Sequence, residues 1–304
     1  MVGLTALTVD PLAAVACLLG LGAYGAGVRR LTRRSPSRRW PRGRTAAFVA
    51  GVTVVAVATM SPLAAYDTVR FSVHVGQHVL LGIVAPVLLA LGAPVTLALQ
   101  ASHRPTQVNL LRVLRSRPAA VVGHPITALL VFGFTLYALY FTPVYELSLR
   151  NDVAHAWVHV HFLVAGCLFA WTTIGLDPVP HRLPHGGRLL LVLLAVPFHA
   201  FLGLALLAGT VPLAGAWYAE VGLSTAEALG EQRAGAAVMW LVGDLMALVL
   251  SFIVARQWWA AEQIRTRHVD ARLDAERAGS EARPTGSQSL HPHPETDVAE
   301  GSIS

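Results

Sequence analysis

Apolar residues along this chain gather into seven long runs, with breaks that carry proline, glycine and charge. The runs cover approximately Val9 to Val28, Thr45 to Met60, Phe71 to Leu91, Ala120 to Phe141, Val153 to Leu176, Leu189 to Ala208 and Ala234 to Ala255. A helix needs about 20 largely apolar residues to cross the hydrocarbon of a bilayer. The pattern therefore predicts an all-α, polytopic membrane protein, a seven-transmembrane-helix bundle over residues 1–256, with span limits good to about four residues. From about Gln257 the composition turns polar, and past Gly279 it is rich in Ser, Pro, Glu and Thr with no apolar period. Residues 257–304 are expected to form a polar, disordered cytoplasmic tail. His291 and His293, in LHPHPE, belong to that tail by composition rather than to a metal site.

Composition sharpens the class. Over 304 residues 54% are hydrophobic and only 13% charged, more apolar material than one soluble core of this length needs. The net charge of +6 could suggest nucleic acid, but the arginines are bunched in the gaps between apolar runs, so no nucleic-acid partner is expected. All 23 basic residues are arginine, which hints at a GC-rich bacterial source. Cys17 and Cys167 lie inside apolar runs without a C-x-x-C pairing, and read as small buried hydrophobes. The N-terminus lacks the pattern of a cleavable leader, so Leu12 to Val28 reads as a retained span.

Alternate loops differ in arginine, which orients the chain by the positive-inside rule. Arg29, Arg30, Arg33, Arg34, Arg38, Arg39, Arg42 and Arg44 follow the first span; Arg104, Arg112, Arg115 and Arg117 follow the third; Arg182 and Arg188 follow the fifth. The other loops hold only Arg70, Arg150 and Arg233 beside several acids. The N-terminus is expected outside and the C-terminus in the cytoplasm.

Ionisable side chains in the hydrocarbon cost about 2.5 kcal/mol or more each when uncompensated, so they normally face the bundle interior and mark function. At ~1.5 Å per residue, His74, His78, His155, His159, His199 and Asp244 all fall between roughly 3 and 16 Å below the outer surface. The inner half has none within its spans. Residues four apart lie about 40° apart on one helix face, so His74 with His78, and His155 with His159, can each converge on a common partner. Gly82 and Ala85 continue the first face, and Phe162 and Gly166 the second. His161 swings about 200° from His159 on an ideal helix and must serve a different partner unless the helix start is distorted. Pro197 sits two residues before His199 and can kink that helix.

Imidazole suits copper, zinc and iron, and paired H-x-x-x-H from two helices could supply most of a coordination sphere. Met60, Met239 and Met246 add thioethers that would favour Cu(I), although Asp244 is about 140° from Met239. Asp244 fits best as a carboxylate orienting a ligating imidazole. Spacing alone leaves copper and haem both open. Tyr66 and Asp67, in the outer loop, read as solvated. No nucleophile elbow, H-E-x-x-H or phosphate-cradling glycine loop supports a hydrolytic enzyme.

The stretches SPLAAYDTVRFSVHVGQHVLLGIVAPVLLALGAP, HAWVHVHFLVAGCLFAW with GLDPVPHRLPHGGRLL, AVPFHAFLGLAL and VMWLVGDLMAL resemble, in order and spacing, the CtaG-type cytochrome c oxidase assembly factor family, over roughly Pro62 to Trp258. The resemblance implies a multi-pass bacterial plasma-membrane protein, not an enzyme. It would aid maturation of a haem-copper oxidase, handling copper on the outer side, with oxidase subunits and an extracytoplasmic copper donor as partners. The implied metal positions are His74, His78, His155, His159, His161, His199 and Asp244; the family's acid in the last span is usually Glu, one methylene longer. The alternatives are a copper transporter and a haem-binding membrane redox protein.

Overall fold

The computed structural model describes residues 10–34 and 39–281, with side chains through 277. The described residues form helices joined by turns and loops, with no strand among them. Six helices are long and apolar enough to cross a bilayer, and a seventh crossing exists if one bent pair is counted as a single span. The outward side chains include Leu12, Leu18, Leu19, Phe201, Leu241 and Leu248, all exposed. A surface of exposed leucine and phenylalanine around these helices fits lipid and not water.

Helix α1 spans Pro11–Arg34 and α2 Arg42–Met60. Val9, the expected start of the first run, lies outside the described residues. A short α3 (Leu63–Tyr66) leads to α4 (Phe71–Val79), a wider five-residue π turn (Leu80–Val84), α5 (Ala85–Leu91) and α6 (Pro94–Ala101). The π turn has a cause in the sequence. Pro86 offers no N–H to the Gly82 carbonyl and its ring crowds that oxygen. The turn widens instead, with the Ala85 N–H bonding back to Leu80.

The fourth run departs most from expectation. Ala120 to Phe141 is not one helix, because His124 precedes Pro125 and is held extended, a residue before proline being disfavoured in the helical region. Helices α7 (Arg104–Leu114) and α8 (Arg117–Val122) therefore end before α9 (Pro125–Tyr140) begins. Sixteen residues make α9 about 24 Å long, and it meets α10 (Val144–Arg150) at a 68° bend. Helix α11 (Asp152–Ile174) stops at Gly175, which takes the left-handed conformation that glycine tolerates. Helix α12 (His185–Ala208) runs through Pro197, and α13 (Gly215–Glu220) leads to α14.

Helix α14 runs from Thr225 to Glu281, so residues 257–281 are helical where a disordered tail was expected, and residues 282–304 lie outside the described residues. The stretch AAEQIRTRHVDARLDAERA is polar but made largely of good helix formers, with no proline and no glycine before Gly279. The chain divides into a unit up to Trp258 and one from Trp259 onward. Within the second, the side chains of residues 259–277 are exposed. His291 and His293 lie outside the described residues.

Helices α10 and α13 close one end of the bundle. The Tyr145 and Tyr218 hydroxyls meet at 2.6 Å in its buried core, and Arg150 makes a two-pronged pair with Glu220 at 2.8 Å on its surface. The Tyr145 ring lies 5.0 Å from that of His74, so this closure forms one wall of the site. Cys17 and Cys167 are both free thiols, Cys167 buried.

Candidate metal centre

Two helix starts set the positions of the imidazoles. Glu231 of α14 accepts hydrogen bonds from the Ser72 amide and hydroxyl and pairs with Arg70 at 2.6 Å. This carboxylate at the positive end of α4 pins its first turn, and His74 and His78 follow on one face. The Asn151 side chain accepts from the Ala154 amide and caps α11, so that helix begins regularly and His155 and His159 share a face as the spacing predicts. His161 accordingly points away. It is exposed, and its Nε2 lies 2.9 Å from the Thr135 hydroxyl.

The two faces meet because both carry glycine. A methyl group on Gly166 would overlap the Gly82 carbonyl and crowd the Pro86 ring, so α11 lies directly on the π turn. The four rings then gather, with centroid separations of 4.1 Å for His74 and His78, 4.4 Å for His155 and His159, 5.4 Å for His74 and His155, and 5.6 Å for His78 and His159. Phe162 stacks on His78 at 4.4 Å. His74 is 0% exposed and His78 2%.

Both nitrogens of His74 and of His78, and Nε2 of His155 and of His159, are buried without a hydrogen-bond partner. A buried polar group left unsatisfied costs about 1–3 kcal/mol, and such groups cluster where a ligand is meant to meet them. One nitrogen from each of His74, His78 and His155 lies within 4.8 Å of the others. The same holds for an Asp67 carboxylate oxygen with one nitrogen each of His155 and His159. Ligands about 2.0–2.1 Å from an ion sit roughly 3.3 Å apart in a tetrahedron, so small side-chain rotations would close either set on a cation.

Asp67 corrects the solvated loop expected from its sequence position. It is 4% exposed, its Oδ2 3.4 Å from His155 Nε2, within ion-pair range although not aligned as a hydrogen bond. Burial pushes its carboxyl above the usual range, opposed by His155 and by a hydrogen bond from Gln77. Gln77 was not legible as a site residue. It is fully buried beside His78, donates to the Ala58 carbonyl at 2.8 Å and leaves its own oxygen unpartnered. Its place one residue before His78 was the only signal. A cavity of about 500 Å³ leads to Asp67, His155 and His159 and also carries Asp10 and Asp152, so carboxylates line the approach a cation would take.

The remaining sequence candidates fall elsewhere. His199 is buried, its Nε2 3.0 Å from Asp244 Oδ1, as a separate pair between α12 and α14. Met239 lines the cavity between His78 and His199, and Met246 a neighbouring one beside His199. Met60, only partly buried, lines neither of them.

Comparison with known proteins adds an independent line. The family model described as cytochrome c oxidase caa3 assembly factor (Caa3_CtaG) matches residues 22–261. Uncharacterised proteins of Mycobacterium bovis and Mycobacterium tuberculosis are each 34% identical over 276 residues, covering 88% of this chain and 41% of theirs. One from Mycobacterium leprae is 34% identical over 253 residues, covering 81% of this chain and 38% of its own. The chain thus spans about two fifths of the length of these curated relatives. No solved structure matches.

Proposed function

This chain belongs to the cytochrome c oxidase caa3 assembly factor family, and on that premise we propose that it binds copper as cargo and passes it to a haem-copper oxidase under assembly. His74, His78, His155 and His159 would hold the ion, with Asp67 at the rim. The observation that carries this is the set of partnerless imidazole nitrogens packed together at the end of an acidic cavity. Neutral imidazole is a good copper ligand, and a cation would satisfy nitrogens left without a hydrogen bond. The arginine distribution supports an extracytoplasmic position for this end of the bundle, in a bacterial plasma membrane. Copper would then arrive from outside through the cavity beside Asp67.

A haem reading draws less support. The cavities beside His78 and His199, about 20 and 30 Å³, have room for an ion or a water and not for a macrocycle, and the larger one beside His155 and His159 is lined by Asp10, Asp67 and Asp152 and not by the apolar walls a haem pocket needs.

Asp67→Asn tests the carboxylate's part. Removing a charge that touches a metal-binding histidine typically lowers affinity about 10- to 100-fold. Competition titration of Cu(I) against a chromophoric chelator should show a loss of that size with the fold intact. Unchanged affinity would exclude Asp67 from the site. Copper retention equal to wild type after loss of His74 and His78 would sink the whole proposal.

A further inference from the structure

The end of the bundle away from the histidines carries an unsatisfied polar group of its own. Helix α11 runs about 28 Å from His155 to Ile174, and there two arginines close on its last carbonyls. Arg188 Nη1 donates to the Ile174 carbonyl and to Gln257 Oε1, both at 2.8 Å, and Arg182 Nη2 donates to the Gly175 carbonyl at 3.3 Å. Arg188 is 2% exposed, and its Nε is buried with no acceptor. Among the described residues no carboxylate pairs with either guanidinium. Asp177, the nearest acid in sequence, instead accepts from the Val95 and Thr96 amides at the start of α6.

Capping α11 does not account for two full charges. A helix C-terminus carries about half a unit of negative charge and a helix N-terminus about half a unit of positive charge. Because Arg188 belongs to the first turns of α12, the start of that helix faces the end of α11, the two helix ends offset one another, and the guanidiniums stay uncompensated. The first turn of α12, at His185, Gly186 and Gly187, has no side-chain cap and no acid, so its leading amides have no acceptor within the helix. A methyl group on Gly186 would meet nothing nearer than the Trp258 ring, at 3.8 Å, so space remains beside that turn. Trp258 is exposed, and its ring lies within 15° of parallel to that of His185, with centroids 6.5 Å apart. Tryptophan at the end of a span marks the depth of the lipid headgroups, where phosphates lie.

We propose that this gap holds the phosphate of one anionic lipid from the leaflet at this end of the bundle, cytoplasmic by the arginine distribution. The exposed Arg182 takes the phosphate oxygens, since a guanidinium matches them in shape as well as charge. The uncapped amides of α12 donate from the other side, and Arg188 supplies charge from beneath, its Nε the nitrogen left for an oxygen to meet. One bound lipid then ties together the ends of α11 and α12 and the Gln257 turn of α14, where two like charges would otherwise push them apart. This is independent of the copper-binding role proposed for the four histidines.

The full chain, delipidated in a neutral detergent and titrated separately with phosphatidylglycerol, phosphatidylcholine and inorganic phosphate, tests this, with bound lipid counted by native mass spectrometry beside thermal melts. One phosphatidylglycerol per protein should be retained, with a rise in melting temperature that neither phosphatidylcholine nor inorganic phosphate reproduces. Arg182→Gln leaves the Arg188 contacts with Ile174 and Gln257 in place, and should weaken retention about fivefold, the usual scale for one basic residue at an anionic membrane surface. Arg117→Gln, at an exposed arginine of the same end, should leave retention unchanged. An equal loss in Arg117→Gln would show diffuse attraction in place of a site. Equal retention of phosphatidylcholine would show that the charge plays no part, and equal stabilisation by inorganic phosphate would make the ligand a free anion. Each of these overturns the lipid site, as does wild-type retention by Arg182→Gln.

Discussion

Replacing His78 by phenylalanine is expected to leave the metal-free protein as stable as wild type or more so, while removing most of its copper retention. His78 is fully enclosed, stacked on Phe162, with both ring nitrogens unsatisfied. A benzene ring fills nearly the same volume against the same neighbour and brings no polar atom to desolvate. Each orphaned nitrogen costs about 1–3 kcal/mol, which the substitution relieves, against up to about 1.5 kcal/mol for imperfect repacking. Wild type should respond to the ion in the opposite sense. A ligand at a hundred times its dissociation constant stabilises the folded state by about 2.7 kcal/mol, so the melting temperature should rise with Cu(I) for wild type and stay flat for His78→Phe. Thermal melts in detergent with and without Cu(I), beside metal analysis, give both readouts. If His78→Phe melts far below wild type without metal, the imidazoles are structural members of the core and the site assignment falls.

The second large effect is expected at Gly166. The Cβ of Gly166→Ala would run into the Gly82 carbonyl and the Pro86 ring, which are parts of the main chain and a closed ring with no rotamer to escape into. Overpacking a tight contact costs about 1–3 kcal/mol, and here the upper end or beyond is expected. To relieve it, α11 must move off the π turn, which carries His155 and His159 away from His78. Membrane levels, thermal midpoint and copper retention should all fall together. Gly76→Ala supplies the control from α4. Nothing lies within 4 Å of its added methyl, and alanine is favoured over glycine in a helix interior by roughly 0.5–1 kcal/mol, so that variant should match or slightly exceed wild type. Equal behaviour of the two variants would show that the close approach of α11 to the π turn and α5 does not hold the site.

Much of this was visible before any coordinates. The H-x-x-x-H pairs share faces because both helices start regularly, under the Glu231 and Asn151 caps. His161 points away for the same reason, as its two-residue offset predicts. The fourth run breaks at His124 because hydropathy averages over Pro125, whereas the backbone before a proline does not. The polar extension continues as helix to Glu281 because lack of an apolar period argues against packing, not against a helix of alanine, glutamate and arginine. Asp67 carried no periodic signal at all. It reaches His155 only because α3 and the turn after it bring the chain back over the mouth of the cluster.

Local rules written into the chain, the length of apolar runs and the turn of a helix, were enough to establish a helical membrane bundle and to pair the histidines along each helix. Which pairs face one another was not contained in those rules. That depends on contacts between segments far apart in sequence: Gly82 against Gly166, Gly243 against His199, Asp67 folded onto His155. Periodicity says which face of a helix a residue occupies but not which neighbour that face will meet. The separation of the His199–Asp244 pair from the four-histidine cluster comes from close packing of backbones, and only the assembled bundle expresses it.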